Sequence, residues 1–376
     1  MKLQFRLKNV LALTLSIYTS QTITAVVAQE QNPPSFTYWC QQRATLPQET
    51  RHTVEVLLEV ANTKDCKRAK EKLTNLTELD LIGSRTSEIS DLKPLSGLTN
   101  LTRLNLIANQ ISDLKPLSRL TNLTKLSLEN NKVNNIKPLA GLINLTELRF
   151  GSNKVNNLSP ISGLTNLSIL SFRNNRIIDI KPISKLKKLT SLSFNGNKVT
   201  DINPISGLTN LTHLSLGDNQ ISDIKPLSGL TNLTQLFLYQ NKINDIKSLS
   251  GLTNLVTITL AANQISDIKP LSGLRNLTEL FLGDNKISDL SPLSGLTNLI
   301  QLSLDSTKIS DIKPLAGLFN LTHLSLDGNK IIDIKPLSRL TKMKKFTNDP
   351  NSQLVEMFNT IGEKNGPEVG FFVFKR

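Results

Sequence analysis

From Leu76 to Lys342 the hydrophobic pattern has one period, 22 residues. In the copy Leu101–Asn122 (LTRLNLIANQISDLKPLSRLTN), apolar side chains occupy positions 1, 4, 6, 11, 14, 17 and 20. Asn stands at position 9, Asp at 13 and Pro at 16. Eleven copies start at strict 22-residue intervals from Leu101 to Leu321. An earlier copy, from Leu76, is three residues longer and has Ser84 in place of the Asn. The alternation over positions 3 to 7 predicts a short strand, with 4 and 6 turned inward and 3, 5 and 7 outward. The return half, DIKPLSGL and its copies, is too short and too Pro-rich for an α-helix and predicts a short 3₁₀ segment. Twelve such strands pairing in parallel make a sheet about 55 Å long.

A fixed period in the twenties with LxxLxLxxN is the signature of a leucine-rich repeat, so the fold class is a leucine-rich repeat solenoid. It belongs to the α/β class, with a parallel sheet on the concave face and 3₁₀ segments on the convex one. The length of 376 residues would otherwise suggest two or three globular domains, but an array grows along one axis without enlarging its core. A lone repeat cannot offset the entropy of ordering its backbone, so stability must come from stacking. The Asn at position 9 is expected to be buried and to bond the loop backbones of neighbouring repeats. Thr307 alone breaks that column among the regular copies.

The flanks read as caps over the open ends of the core. Residues 29–75 form the N-terminal one, where TVEVLLEVA (Thr53–Ala61) places Val54, Leu57, Leu58 and Ala61 on one helical face. Trp39 is expected to pack over the first repeat. Residues 343–376 form the C-terminal cap, with a possible last strand at Met343–Phe346, a helical face at Gln353–Ile361 and a hydrophobic stretch Gly370–Phe374. Residues 1–28 resemble a secretory signal: basic Lys2, Arg6 and Lys8, an apolar run, and Val26-Val27-Ala28 ahead of the cut. No second apolar run of spanning length follows, so an exported chain with no integral membrane span after cleavage is expected. The two cysteines, Cys40 and Cys66, then read as a disulfide stapling the cap, with two free thiols as the alternative. They fall short of a metal site.

With the period and the DIxPLxxL return half in view, the array resembles the internalin type of bacterial leucine-rich repeat. The likeness covers residues 76–342. It implies a helical N-terminal cap and an exported recognition protein that grips a partner with its concave sheet. Only 34 residues follow the array, too few for an immunoglobulin-like domain, and no LPxTG motif is present.

Function then lies in the outward positions. Position 5 is mostly Ser, Thr or Asn, but is Arg149, Phe237 and Phe281 in three regular copies; position 7 includes Tyr239 and Asp305. Exposed aromatics on a rigid sheet are typical hot spots, so Phe237, Tyr239 and Phe281 are expected to bind a protein partner. Gln235, Glu279, Gln301 and Asp305 would form their polar rim. The competing reading is that the aromatics only cover small neighbours such as Ala261 and Ala262. The net charge of +14 and the pair Arg149 and Arg173 suggest, alternatively, an acidic glycan or envelope polymer. A surface scaffold without a defined ligand is the third reading. Asp284, Asp305 and Asp327 could hold calcium weakly, but no Gly-spaced ligand loop accompanies them. Asp at position 13 reads as a turn residue. His213 and His323 are five repeats apart, about 24 Å, too far to share a proton or a metal. No catalytic group, cofactor, metal or nucleic-acid partner is expected, and the chain should act as a monomer.

Overall fold

The computed structural model describes residues 34–84 and 88–347. The leader at 1–28 and the helix expected at Gln353–Ile361 lie outside the described residues. Thirteen strands of three residues each stack in chain order into one parallel sheet, from β1 (Glu78–Asp80) and β2 (Arg103–Asn105) to β13 (Lys345–Thr347). Each pairs with its neighbours in the register of the repeat, Leu104 opposite Leu126 and Leu126 opposite Leu148. The sheet runs one strand past the twelve copies, because Met343 and Phe346 complete the core at its end.

The strands are shorter than the alternation predicts and cover positions 3 to 5. Bonding to the next repeat nevertheless continues through position 8: Leu106 N–H donates to Ser127 O (2.8 Å) and Ala108 N–H to Glu129 O (2.9 Å). Positions 4 and 6 are buried throughout, as the pattern requires, and Phe150, Phe172 and Phe194 stack inside at centroid distances of 5.8 and 5.3 Å. The return halves are 3₁₀ turns such as Lys115–Leu117, with Pro preset for the first turn. Where Ser248 replaces the Pro, its hydroxyl donates to Ile224 O at 3.0 Å. Position 13 accepts the N–H two residues on, as in Asp113 with Lys115 (2.9 Å). At Asp289 the Ser291 backbone N–H, and then its hydroxyl, hold the carboxyl below its usual pKa.

Three side-chain ladders tie the repeats together. In the first, buried Asn131 accepts from Ile111 N–H (3.0 Å) and donates to Leu106 O of the preceding repeat (2.8 Å). The Asn residues at position 9 from Asn109 to Asn285 repeat that pattern, and so does Asn329. The second uses Asn at position 22, as in Asn122 donating to Thr99 O (2.9 Å). The third uses Thr at position 2, as in Thr124 donating to Thr102 O (3.0 Å). In the eleven regular repeats every corner at position 8 is left-handed, although only Gly196 and Gly328 there are glycines; Ala108, Gln240 and Ala262 sit at φ 58°, 52° and 55°. Strain of that kind persists only where surrounding bonds over-determine the backbone.

The N-terminal cap holds three helices rather than the single one legible in the sequence: α1 (Phe36–Gln41), α2 (Gln48–Val60) and α3 (Cys66–Thr74). Helix α2 buries Thr50, Thr53, Val54, Leu57 and Leu58. Thr53 donates to Asp91 O (2.8 Å), and the Thr50 hydroxyl donates to the Asp91 carboxylate, which docks the cap on the first repeat. Asp65 caps α3 by accepting from Arg68 N–H at 2.8 Å, the bond that chiefly lowers its pKa. Cys40 and Cys66 form the expected disulfide between α1 and α3. Trp39 packs partly buried against the same core, edge-on to Tyr38.

Thr307 leaves one rung incomplete. Its hydroxyl reaches Leu304 O (2.9 Å) and Asn329 Oδ1 (2.7 Å), and the buried Ile287 N–H has no acceptor among the described residues. Thr307→Asn should therefore raise stability by about 1 kcal/mol in urea unfolding; a lower midpoint would refute the rung argument. Replacing Cys40 and Cys66 together by Ala should lower stability by about 2–4 kcal/mol, and an unchanged midpoint would show that the bridge staples nothing.

Candidate partner-binding face

The concave face is a grid whose columns are positions 3, 5 and 7 and whose rows are repeats. Its step is the strand spacing, about 4.8 Å. Along position 5 the order is Ser215, Phe237, Thr259, Phe281, Ser303, each opposite the next in the parallel register. Phe237 and Phe281 are thus two strands apart, about 10 Å, with the smaller Thr259 between them. Both rings are half-buried, and neither makes an aromatic contact among the described residues. Gln235, Thr257, Glu279 and Gln301 run beside them along position 3, with Glu279 accepting from Thr257 Oγ1 (3.1 Å). The structure therefore brings Phe237, Phe281, Gln235, Glu279 and Gln301 onto one continuous patch.

Tyr239 joins that patch by a route the sequence did not show. Its ring lies over Gly217 of the preceding repeat, so closely that a Cβ at Gly217 would fall 2.3 Å from the ring. Its hydroxyl accepts from Asn195 Nδ2 at 3.2 Å, two repeats back. Asn195 is itself held, accepting from Ser215 Oγ (2.8 Å) and Gly217 N–H (3.0 Å). Tyr239 does cover a small neighbour, but on the opposite side from Ala261 and Ala262. The result is a phenol ring that lies over Gly217 and is anchored at its hydroxyl by Asn195. The signal for this was present as Gly at position 7 just before a large residue in the same column. It occurs again at Gly151, across which Arg173 reaches Glu129 (3.4 Å).

The charged candidates are placed differently. Asp305 uses its carboxylate internally: Oδ2 accepts from Ser303 Oγ (2.9 Å), and Oδ1 accepts from Asp327 N–H (2.9 Å) and the Ser325 hydroxyl. It braces the sheet beside the aromatics. Arg149 is paired with Glu147 at 2.6 Å, and Arg173 with Glu129, so both cations are partly neutralised in place. Sequence reasoning also passed over the ladders at positions 2 and 22. Their residues spell the recurring LTNLT junction, in which Asn-Leu-Thr resembles a glycosylation acceptor while its side chains bond the preceding repeat.

The family model for leucine-rich repeats (two copies) matches residues 99–142, 165–208, 187–229, 209–251, 231–273 and 275–317, together more than half of the chain. An internalin (InlF) from Listeria monocytogenes superposes with a TM-score of 0.70 at 33% identity, over 80% of this chain and 95% of that one. A leucine-rich repeat protein of Leptospira interrogans gives a TM-score of 0.68 at 27% identity, over 82% and 92%. The leucine-rich repeat ectodomain of a membrane receptor kinase from Arabidopsis thaliana, solved in complex with Casparian strip integrity factor 2, shares the fold (TM-score 0.54, 19% identity, 74% and 45% covered). No curated protein matches the sequence by direct comparison.

The Tyr239 anchor is open to test. Tyr239→Phe should cost about 1 kcal/mol of stability through loss of the Asn195 bond, measured by urea unfolding. Gly217→Ala should displace the ring and cost more. If Gly217→Ala unfolds at the parent midpoint, the ring does not lie where described.

Proposed function

This chain belongs to the internalin-type leucine-rich repeat proteins, and on that premise we propose that it is an exported recognition module that grips a protein partner on its concave face. The observation that carries this is the set Phe237, Tyr239 and Phe281. It places aromatic area among the mostly Ser and Thr residues of position 5, in two repeats separated by one, with Tyr239 held by Gly217 and Asn195. Large, rigid aromatic side chains deliver contact area at little entropic cost, the usual property of hot spots. Gln235, Glu279 and Gln301 surround them as the polar rim, with Asp305 acting through its bracing of Ser303 and Ser325.

Export is supported by the leader-like residues 1–28 and by the Cys40–Cys66 disulfide, which belongs to an oxidising compartment. Among the described residues no helix is long and apolar enough to cross a membrane. The array offers recognition rather than chemistry: its polar side chains are spent on ladders, and His213 and His323 each bond the neighbouring Thr.

With the full chain as bait, a stoichiometric protein partner should be captured. The double variant Phe237→Ala/Phe281→Ala should then bind it about 2–4 kcal/mol more weakly, measured by calorimetry. Binding equal to the parent would remove the aromatic patch as the site.

A further inference from the structure

The positive charge is concentrated in one part of the array. Residues 123–210, four repeats, hold twelve Lys and Arg against four Asp and Glu, whereas the next four repeats, 211–298, hold six against seven. Within the basic block, position 10 is a cation in every repeat: Lys132, Lys154, Arg176 and Lys198. These residues leave the sheet immediately after the buried Asn rungs. Their backbones are fixed, because the N–H of each donates to position 11 of the preceding repeat, at Ile111, Val133, Val155 and Ile177, over 2.8 to 2.9 Å. The cations therefore stand in a regular row, one per repeat, with a step of about 5 Å.

All four are exposed. In contrast to Arg149 and Arg173, none of the four takes part in an ion pair or a side-chain hydrogen bond among the described residues. Their nearest sequence neighbours in the same turns are uncharged: Asn130, Ser152, Asn174 and Gly196 at position 8, and Asn134, Asn156, the exposed Ile178 and Thr200 at position 12. The carboxylates at position 13 are absent from the first two of these repeats, where Asn135 and Asn157 stand. In the other two, Asp179 and Asp201 are occupied by the N–H groups of Lys181 and Asn203. The unbroken row of four stops at Gln220, beside Asp218; position 10 is Lys again at Lys242, Lys286, Lys308 and Lys330, in repeats that together lack the excess of cations over carboxylates found in 123–210.

We propose that this edge of the solenoid, along Lys132, Lys154, Arg176 and Lys198, binds a linear acidic polysaccharide. A regular row of cations, one per repeat, matches a polymer whose carboxylate or sulfate groups recur along an extended chain. The flanking amides and hydroxyls match the hydroxyls of its sugars. The row has no aromatic side chain on which bases could stack, which disfavours single-stranded nucleic acid. The surface is separate from the concave aromatic patch, so one chain can hold a polymer at its edge and a protein in its hollow.

The test measures binding of the full chain to polygalacturonate, heparin and a thymidine oligonucleotide at increasing salt. One variant carries Lys132→Gln, Lys154→Gln, Arg176→Gln and Lys198→Gln. A charge-matched control carries Lys225→Gln, Lys247→Gln, Lys269→Gln and Lys313→Gln on the convex turns, and circular dichroism confirms that both fold. The proposal expects the parent to bind both polysaccharides with an affinity that falls as salt rises, since screening weakens exposed charges. It expects the edge variant to bind about tenfold more weakly and the control to stay within about twofold. Phe237→Ala/Phe281→Ala should bind the polysaccharides like the parent, which separates this site from the protein-binding reading. No polysaccharide binding by the parent, equal losses in the two quadruple variants, or tighter binding of the oligonucleotide would each overturn the proposal.

Discussion

A buried amide is the constraint on which the solenoid depends. Each repeat must turn out of the sheet within a few residues, and the left-handed corner at position 8 leaves backbone groups facing inward. The Asn at position 9 takes those groups from both sides of the junction, as Asn131 does with Ile111 N–H and Leu106 O of the preceding repeat and Leu128 O of its own. Buried backbone polar groups without partners are costly, so one amide per repeat decides whether the corner can close. Its reach into the preceding repeat also fixes the register in which neighbours stack. The Leu and Ile columns then bury apolar area in a geometry the amides have already specified.

That fixed register is what makes the outer surfaces readable as columns. Because Phe237 and Phe281 occupy one position in alternate repeats, their separation follows from the ladder, not from loop conformation. The same holds for Lys132, Lys154, Arg176 and Lys198 on the edge. A globular domain builds a site by converging residues from several loops. Here the site is a choice of side chains at grid points whose spacing is set beforehand, and Gly at points such as Gly217 lets one side chain cover two of them.

Much of this was legible because the repeat presents the same physics twelve times. The apolar positions, the inward Phe150, Phe172 and Phe194, the Asn rungs and the Cys40–Cys66 pair all follow from periodicity and compartment. The cap was harder. It occurs once, and α1 and α3 have too few apolar residues for a face to show, so the Asp91 contacts that dock the cap could not be foreseen. The alternation overstated the strand, since inward and outward directions persist beyond the paired residues. In the candidate site, the pattern gave the face but not the posture of the side chains. Tyr239 meets a residue 44 positions away in sequence, and Asp305 turns to its own neighbours. Both outcomes depend on side-chain torsions that spacing does not encode.

The missing rung at Thr307 gives an otherwise uniform stack a seam. The repeat after Phe281 is joined to it by Leu and Ile contacts and by strand bonds, but without the amide that reinforces the other regular junctions. In a quasi-one-dimensional assembly, load passes through each junction in series, and the least braced one gives way first. A pull along the axis would part the stack just beyond Phe281, between the repeats that start at Leu277 and Leu299. Phe237, Tyr239 and Phe281 would stay with the disulfide-stapled cap, and Gln301 and Asp305 would leave with the C-terminal repeats.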